Sequence, residues 1–257
     1  MKQLINNAIA GTPLELVKFR INAHLRGRKG ALYDLETISV MKRVLAKHSN
    51  CVDVGCAKGN LLRWMQKLSP EGTHYAFEPV PMVYQMLVKT FAEHHNIRFY
   101  DIALSDKNGE SSFQHVISSP AFSGLKKRTY AHPSERIEQI TVRTARLDDI
   151  VPKTQKIDFI KIDVEGAELL VLQGALETIR NSRPIIVFEH GLGAADHYGT
   201  SPEDVYDLLV SHCGLAISLM KDWLADRRTN RLSMAEFSKQ FHDRLNYYFV
   251  AYPPLSG

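Results

Sequence analysis

CVDVGCAKG, residues 51–59, is the stretch whose reading decides the fold. A short apolar run carries an acid, Asp53, and a tight turn follows with Gly55, Ala57 and Gly59. The next residues, LLRWMQKL, place apolar side chains at helical spacing. Strand, small-residue turn and helix is how an open α/β sheet builds a pocket for a nucleoside-bearing cofactor. Small residues let the backbone approach the ligand, and the helix N-terminus offers free N–H groups.

Outward from this stretch the pattern repeats. THYAFEP, 73–79, reads as a second strand ending in Glu78, where a carboxylate suits a ribose diol because it accepts two hydrogen bonds. Pro79 and Pro81 open the next helix, where a missing N–H costs little. NIRFYDIALSD, 96–106, gives a third strand and its exit loop. KIDFIKIDVEG, 156–166, is a buried strand ending in Asp163, with a helix expected over 166–180. RPIIVFEHG, 183–191, is the cleanest central strand and ends in Glu189 and His190. A helix over 202–212, a strand over 213–219, helical residues near 233–240 and a final aromatic-rich strand, NYYFVAYP, complete the chain. Upstream, apolar spacing predicts a helix over 34–48 with Asp34 as its N-cap. Between 109 and 147 two strands flank SSPAFSGLKKRTYAHPSE, an insertion of the length that usually carries function.

Composition bounds the answer. At 257 residues and 44% hydrophobic, the chain can build one sizeable core. A net charge of +4 is too small to signal a nucleic-acid binder. The cysteines, Cys51, Cys56 and Cys213, form no CxxC pair, so neither a disulfide framework nor a zinc site is indicated and a reducing, cytoplasmic setting is expected. No apolar run reaches the ~18 residues of a membrane span. No signal peptide is read at the N-terminus. The basic segment before residue 35, with Lys18, Arg20, Arg26, Arg28 and Lys29, reads as a solvated helix or arm; a cap over the pocket is the sharper alternative.

In a parallel sheet all carboxyl ends lie on one edge. Asp53, Glu78, Asp101, Asp163 and the pair Glu189–His190 fall at strand ends, where an acid has no packing role. A dinucleotide needs a full glycine turn over its pyrophosphate, which an adjacent acid would repel. The ammonium of S-adenosylmethionine would be attracted by Asp53. The site therefore favours a methyl donor over a nicotinamide cofactor, which stays as the alternative.

The chain resembles the FkbM family of S-adenosylmethionine-dependent methyltransferases. The residues that carry the resemblance are DVGCAKG (53–59), FEP (77–79), ALSD (103–106), LDD (147–149), QGA (173–175) and above all KIDVEGAE (161–168). The family commonly has Asn where this chain has Ala57. The resemblance implies a Rossmann-like class I α/β fold. Its seven-stranded, mostly parallel sheet has an antiparallel last strand and helices on both faces. The residues themselves are expected to divide into an N-terminal helical cap over 1–48 and a methyltransferase domain over 49–257, with a substrate-loop insertion at about 109–147. The resemblance implies O-methylation of a hydroxyl on a sugar or other small natural-product-like acceptor. Asp53, Gly55 and Gly59 would hold the methionine portion, Glu78 the ribose, and Asp101, Ile102 and Ala103 the adenine, with Cys56, Ala57 and Pro79 also in the cofactor-binding set. Asp163 would stand beside the methyl group and the acceptor.

A hydroxyl acceptor needs its proton accommodated. His190 is the expected base, with Asp163 and Glu189 as catalytic partners; His115, His132 and His197 are weaker candidates. A divalent cation, magnesium or manganese, held by Asp163, Glu189 and His190 is the other route. Glu165 reads as a helix cap. Residues 123–130 and 196–198 are expected to wall the acceptor site. Base methylation of nucleic acid usually carries an Asn/Asp-Pro-Pro-aromatic turn, and DVEG (163–166) stands there instead. A binding protein without catalysis is the remaining alternative.

Overall fold

The computed structural model describes residues 17, 29–129, 135–226 and 230–254. Its strands are β1 (Cys51–Val54), β2 (His74–Phe77), β3 (Ile97–Tyr100), β4 (Ile102–Leu104), β5 (Gly109–Val116), β6 (Ile137–Ala145), β7 (Phe159–Ile162), β8 (Ile185–Glu189), β9 (Ala216–Ser218) and β10 (Tyr248–Tyr252). The main sheet has the order β3-β2-β1-β7-β8-β10-β9. The pairings from β3 to β8 are parallel, and β10 runs antiparallel to both neighbours. The expected seven-stranded α/β sheet is thus observed. Chain order reverses at the β1/β7 boundary, which makes it the switch point where a crevice opens at the carboxyl ends.

Alternation sorts the side chains into two layers. Val52, Val54, Ile160, Ile162, Ile186 and Phe188 face the helices Glu168–Gln173, Leu176–Ser182 and Met234–His242. Cys51, Phe159, Val187 and Val250 face the helices Lys29–Val44, Asn60–Leu68 and Met220–Ala225. Strands covered on both faces read as apolar runs. The carboxylate Asp53 and the lysine Lys161, both buried on the second face, are exceptions that need a reason.

The local readings hold with four adjustments. The helix expected over 34–48 spans Lys29–Val44, because Tyr33 stacks on Tyr248 at 4.9 Å and meets Tyr247 edge-on at 4.7 Å. That packing carries the helix past Asp34. The third strand divides: Ile97–Tyr100 stays in the main sheet, while Ile102–Leu104 joins β6 and β5 in a second, three-stranded sheet. The helix expected over 166–180 breaks at Gly174, where a Cβ would stand 2.0 Å from the Ser105 carbonyl oxygen. Its second half is capped by Asp148, which accepts from the Glu177 and Thr178 N–H groups at 3.0 and 2.8 Å. The helix after Pro202 widens into a π-type turn over Asp207–His212. Among the described residues no helix is long and apolar enough to cross a membrane. The basic segment 1–28 (residue 17 apart), His132 and Tyr130 lie outside the described residues.

Candidate active site

The turn after β1 alternates into the left-handed region at Gly55 (φ 72°), Ala57 (φ 44°) and Gly59 (φ 72°). Gly55 is required by contact as well as by conformation: a Cβ there would lie 2.0 Å from the Asp163 carbonyl oxygen. Gly59, expected at the cofactor, instead serves packing. A Cβ there would stand 2.6 Å from the Phe91 ring, and Gly59 lines none of the cavities described below. Ala57 occupies a conformation that Asn and Gly adopt more readily, which gives its departure from the family pattern a backbone cost. The turn is held by Glu78, whose Oε2 accepts from the Ala57 N–H and whose Oε1 accepts from the Val80 N–H, both at 3.0 Å. Burial pushes the Glu78 carboxyl up, and these two bonds oppose the shift.

β1 and β7 are in register so that Asp53 and Lys161 are cross-strand partners. Lys161 Nζ lies 3.6 Å from Asp53 Oδ1 and 3.7 Å from Asp163 Oδ2. It donates to the Gly55 carbonyl at 2.8 Å and the Val54 carbonyl at 3.4 Å. Neither Asp53 oxygen receives a hydrogen bond of normal geometry. Burial pushes Asp53 up against the pull of Lys161. Burial also works against the Lys161 charge, but Asp163 and Asp53 outweigh it and keep the ammonium.

Residues on the same strand face extend the row. Glu189 on β8 is paired in register with Tyr248 on β10. Tyr248 donates to Asp163 Oδ2 at 2.6 Å. Burial, followed by the Asp163 charge, pushes the Glu189 carboxyl well above its usual range. Burial opposes Asp163 ionisation, but Lys161, then Glu189 and Tyr248, outweigh it and hold that carboxyl below its usual range. Glu165 takes a left-handed backbone (φ 59°) and pairs with the Arg128 guanidinium from the β5–β6 insertion. It does not cap a helix. The loop is instead gathered by Glu168, whose Oε1 accepts from the Val164 and Gly166 N–H groups at 3.1 Å. Burial pushes Glu168 up to about 7.

Three adjoining spaces meet at Asp163. An apolar cleft is lined by Phe77, Glu78, Pro79, Ile102 and Ala103. A cavity of about 580 Å³ is floored by Asp53, Gly55, Cys56, Ala57, Lys161 and Asp163. Another of about 420 Å³ carries Phe122, Arg128, Asp163, Glu165, Glu189 and Tyr248. Most expected cofactor residues are thus brought together.

Others are not. The Asp101 carboxylate turns outward to pair with Arg143 and lines none of the three spaces. His190, the expected base and metal ligand, is fully buried and stacked between Phe241 at 4.7 Å and Phe237 at 5.8 Å. Both its ring nitrogens lack partners, and burial lowers its pKa to about 4. A strand-end position faces the site only on alternate residues, and His190 follows Glu189 onto the opposite layer. The set Asp163, Glu189 and His190 is therefore not assembled for a metal. The carboxylates that do converge are Asp163, Glu165 and Glu189. They offer one oxygen each within 4.8 Å of one another, hard donors of the kind a divalent ion accepts, with the Arg128 guanidinium paired to Glu165.

His115 lines the larger cavity near Glu138, and His197 bonds Thr129 at 3.1 Å away from the row. The insertion supplies Phe122, Ser123, Leu125 and Arg128 to the walls, whereas 196–198 brace it from behind, Tyr198 accepting from the Lys126 N–H at 2.8 Å. Sequence reasoning missed Lys161, Arg128 and Tyr248. A lysine inside the apolar strand FIKI was a signal for the first. Arg128 looked like one more charge of a solvated loop.

This architecture has known counterparts. Residues 53–215 match the Methyltransferase FkbM domain. The 2-O-methyltransferase NoeI of Sinorhizobium fredii is 31% identical over 145 residues, 51% of this chain and 59% of that protein. Methyltransferase 1 of Beauveria bassiana is 27% identical over 141 residues, 48% of this chain and 57% of that one. The matches thus span under two thirds of these relatives' lengths. A crystal structure of Methyltransferase FkbM from Methylobacillus flagellatus is alike in fold, with a TM-score of 0.51 and 16% identity over 81% of this chain and 44% of that one.

Proposed function

This chain belongs to the FkbM methyltransferase family, and from that premise we propose that it methylates a hydroxyl oxygen of a sugar or other small polar acceptor, with S-adenosylmethionine as donor. The observation that carries the reading is the row Asp53–Lys161–Asp163, which floors one cavity and ends at the mouth of a second, carboxylate-rich one. The name of the Sinorhizobium relative, a 2-O-methyltransferase, supports an oxygen acceptor.

The residues present fit such a donor. Asp53 lies on the cavity floor with Lys161 3.6 Å away, beyond ordinary hydrogen-bond length, which leaves lone pairs for an ammonium. Glu78 uses one lone pair on each oxygen for the turn and retains others for ribose hydroxyls. Ile102 and Ala103 offer an apolar wall to adenine. When bound, the donor supplies an electrophilic methyl group on a sulfonium sulfur.

The protein's own part is positioning. Asp163, kept ionised, accepts the hydrogen bond of the acceptor hydroxyl and aims its oxygen. Tyr248 fixes Asp163 Oδ2 from one side, and Glu189, whose carboxyl burial shifts toward its neutral form, faces Asp163 from another. Phe122, Leu192 and Phe241 give the acceptor side an apolar wall. Alignment of this kind supplies a large share of the acceleration in displacement reactions. The hydroxyl proton passes to Asp163 as the new bond forms. We further place an N-terminal cap over 1–48 on the domain 49–257, and assign acceptor selection to the insertion at about 109–147. The three cysteines are buried and unpaired, which suits the cytoplasm.

The test is incubation with S-adenosylmethionine and a panel of sugars, phenols and amines, read by mass spectrometry. One added methyl on a hydroxyl oxygen is expected. Methylation confined to nitrogen would overturn the acceptor class.

A further inference from the structure

We propose that Lys161 is a positioning residue that ties the donor-binding turn to the acceptor-side carboxylate, so that the two halves of the site are set by one ammonium. The proposal rests on the reading of Asp163 given above.

Lys161 stands mid-strand in β7 between Ile160 and Ile162, and its side chain is 6% exposed. An ammonium has three N–H donors. Four acceptors surround this one: the Gly55 and Val54 carbonyls at 2.8 and 3.4 Å, Asp53 at 3.6 Å and Asp163 at 3.7 Å. Two of these belong to the β1 exit and one to the β7 exit. The same two exits touch at Gly55, whose missing Cβ lets its backbone reach the Asp163 carbonyl.

A charge kept only to neutralise Asp53 would need no reach to Asp163. Buried ion pairs with no other duty are commonly replaceable by apolar residues at little cost. Here Asp53, Lys161 and Asp163 all border the same cavity, so the three charges form its floor rather than a dry core. Displacing the ammonium would loosen the Gly55 carbonyl and leave Asp163 facing acids.

The groups around Asp163 come from every neighbouring element. They are Asp53 from β1, Lys161 from β7, Glu189 from β8, Tyr248 from β10, Glu168 from the start of the helix Glu168–Gln173, and Glu165 and Arg128 from the loops over it. Asp34 adds its charge near Lys161 from the N-terminal helix. Lys161 and Arg128 are the cations of this set, and Arg128 is engaged by Glu165.

The titration and binding arms of the test need no acceptor. The Asp163 side-chain carboxyl is titrated by carbon NMR in the native protein, Lys161→Met and Lys161→Arg, with Asp163→Asn assigning the signal. S-adenosylhomocysteine binding is measured by calorimetry on each. In Lys161→Met the Asp163 titration is expected to rise by about 1–3 pH units, the effect of removing an opposite charge at this range. Product affinity should fall about tenfold or more, as for a lost hydrogen bond from a charged donor. Lys161→Arg should restore most of both. Should Lys161→Met not fold, Asp53→Asn/Lys161→Met removes both charges and must still show the raised titration. An unmoved titration and unchanged affinity in a folded variant would overturn the proposal. Full methyl transfer by Asp163→Asn would instead refute the reading of Asp163 and leave the NMR result standing.

Discussion

Gly55→Ala probes the contact on which the site is built. The added Cβ would sit 2.0 Å from the Asp163 carbonyl oxygen, about 1.4 Å short of ordinary contact. The obstacle is backbone on both sides, so no rotamer relieves it. A left-handed non-glycine residue costs about 1–2 kcal/mol, and overpacking in a filled region about 1–3 kcal/mol. Together they put the destabilisation near 3 kcal/mol. For a chain of this size that lowers Tm by about 6–12 °C. Because the strain falls between the β1 turn and Asp163, S-adenosylhomocysteine affinity should drop with stability. Thermal melts by circular dichroism and calorimetric titration with the product read both. A Gly55→Ala protein with native Tm and native affinity would refute the claim that the two strand exits are in enforced contact.

Ala57→Gly should act in the opposite sense. It relieves the φ 44° backbone while adding unfolded-chain entropy, for a net gain of about 1–2 °C in Tm; a clear loss would show that the methyl group matters more than the conformation. His190→Phe should leave product binding intact and flatten the acid dependence of stability. The unfolded ring takes a proton as pH falls through 6.5, while the folded ring stays neutral to about 4. Stability is therefore lost across that window on acidification, by about 3 kcal/mol, and melts from pH 7 to pH 4 should show the variant losing that much less. An unchanged slope would mean that His190 is not buried neutral. Asp163→Asn should lower methyl transfer to the acceptor found in the panel by about 100-fold or more, with product affinity retained; undiminished turnover would remove Asp163 from the chemistry.

Strand identity was legible because β-branched and aromatic runs ending in acids recur along the chain, and because glycines mark the β1 turn. Glu78 and Asp163 were legible for the same reason: a carboxylate at a strand end has no packing role. Side-chain facing was not. Glu189 and His190 are adjacent in the chain, but the register of β8 against β10 decides that one meets Asp163 and the other stacks on Phe241. Asp101 was misplaced because the third strand divides between two sheets after Tyr100, which turns its carboxylate toward Arg143. Arg128 could not be found at all, since nothing local says that the insertion brings it onto Glu165 in the loop after β7. Lys161 could have been: its burial in FIKI demands paired charges, and Asp53 and Asp163 are the acids two strands make available.

The central claim is that one cavity holds the donor and the adjoining one the acceptor, divided at Asp163. A crystal structure of the complex with S-adenosylhomocysteine tests it most directly. The account expects the amino acid portion over Asp53, Gly55 and Ala57, the ribose on Glu78, the adenine against Ile102 and Ala103, and the sulfur facing Asp163 and the space beside Tyr248. A product molecule seated among Arg128, Glu189 and Tyr247, with the Asp53 cavity empty, would contradict it.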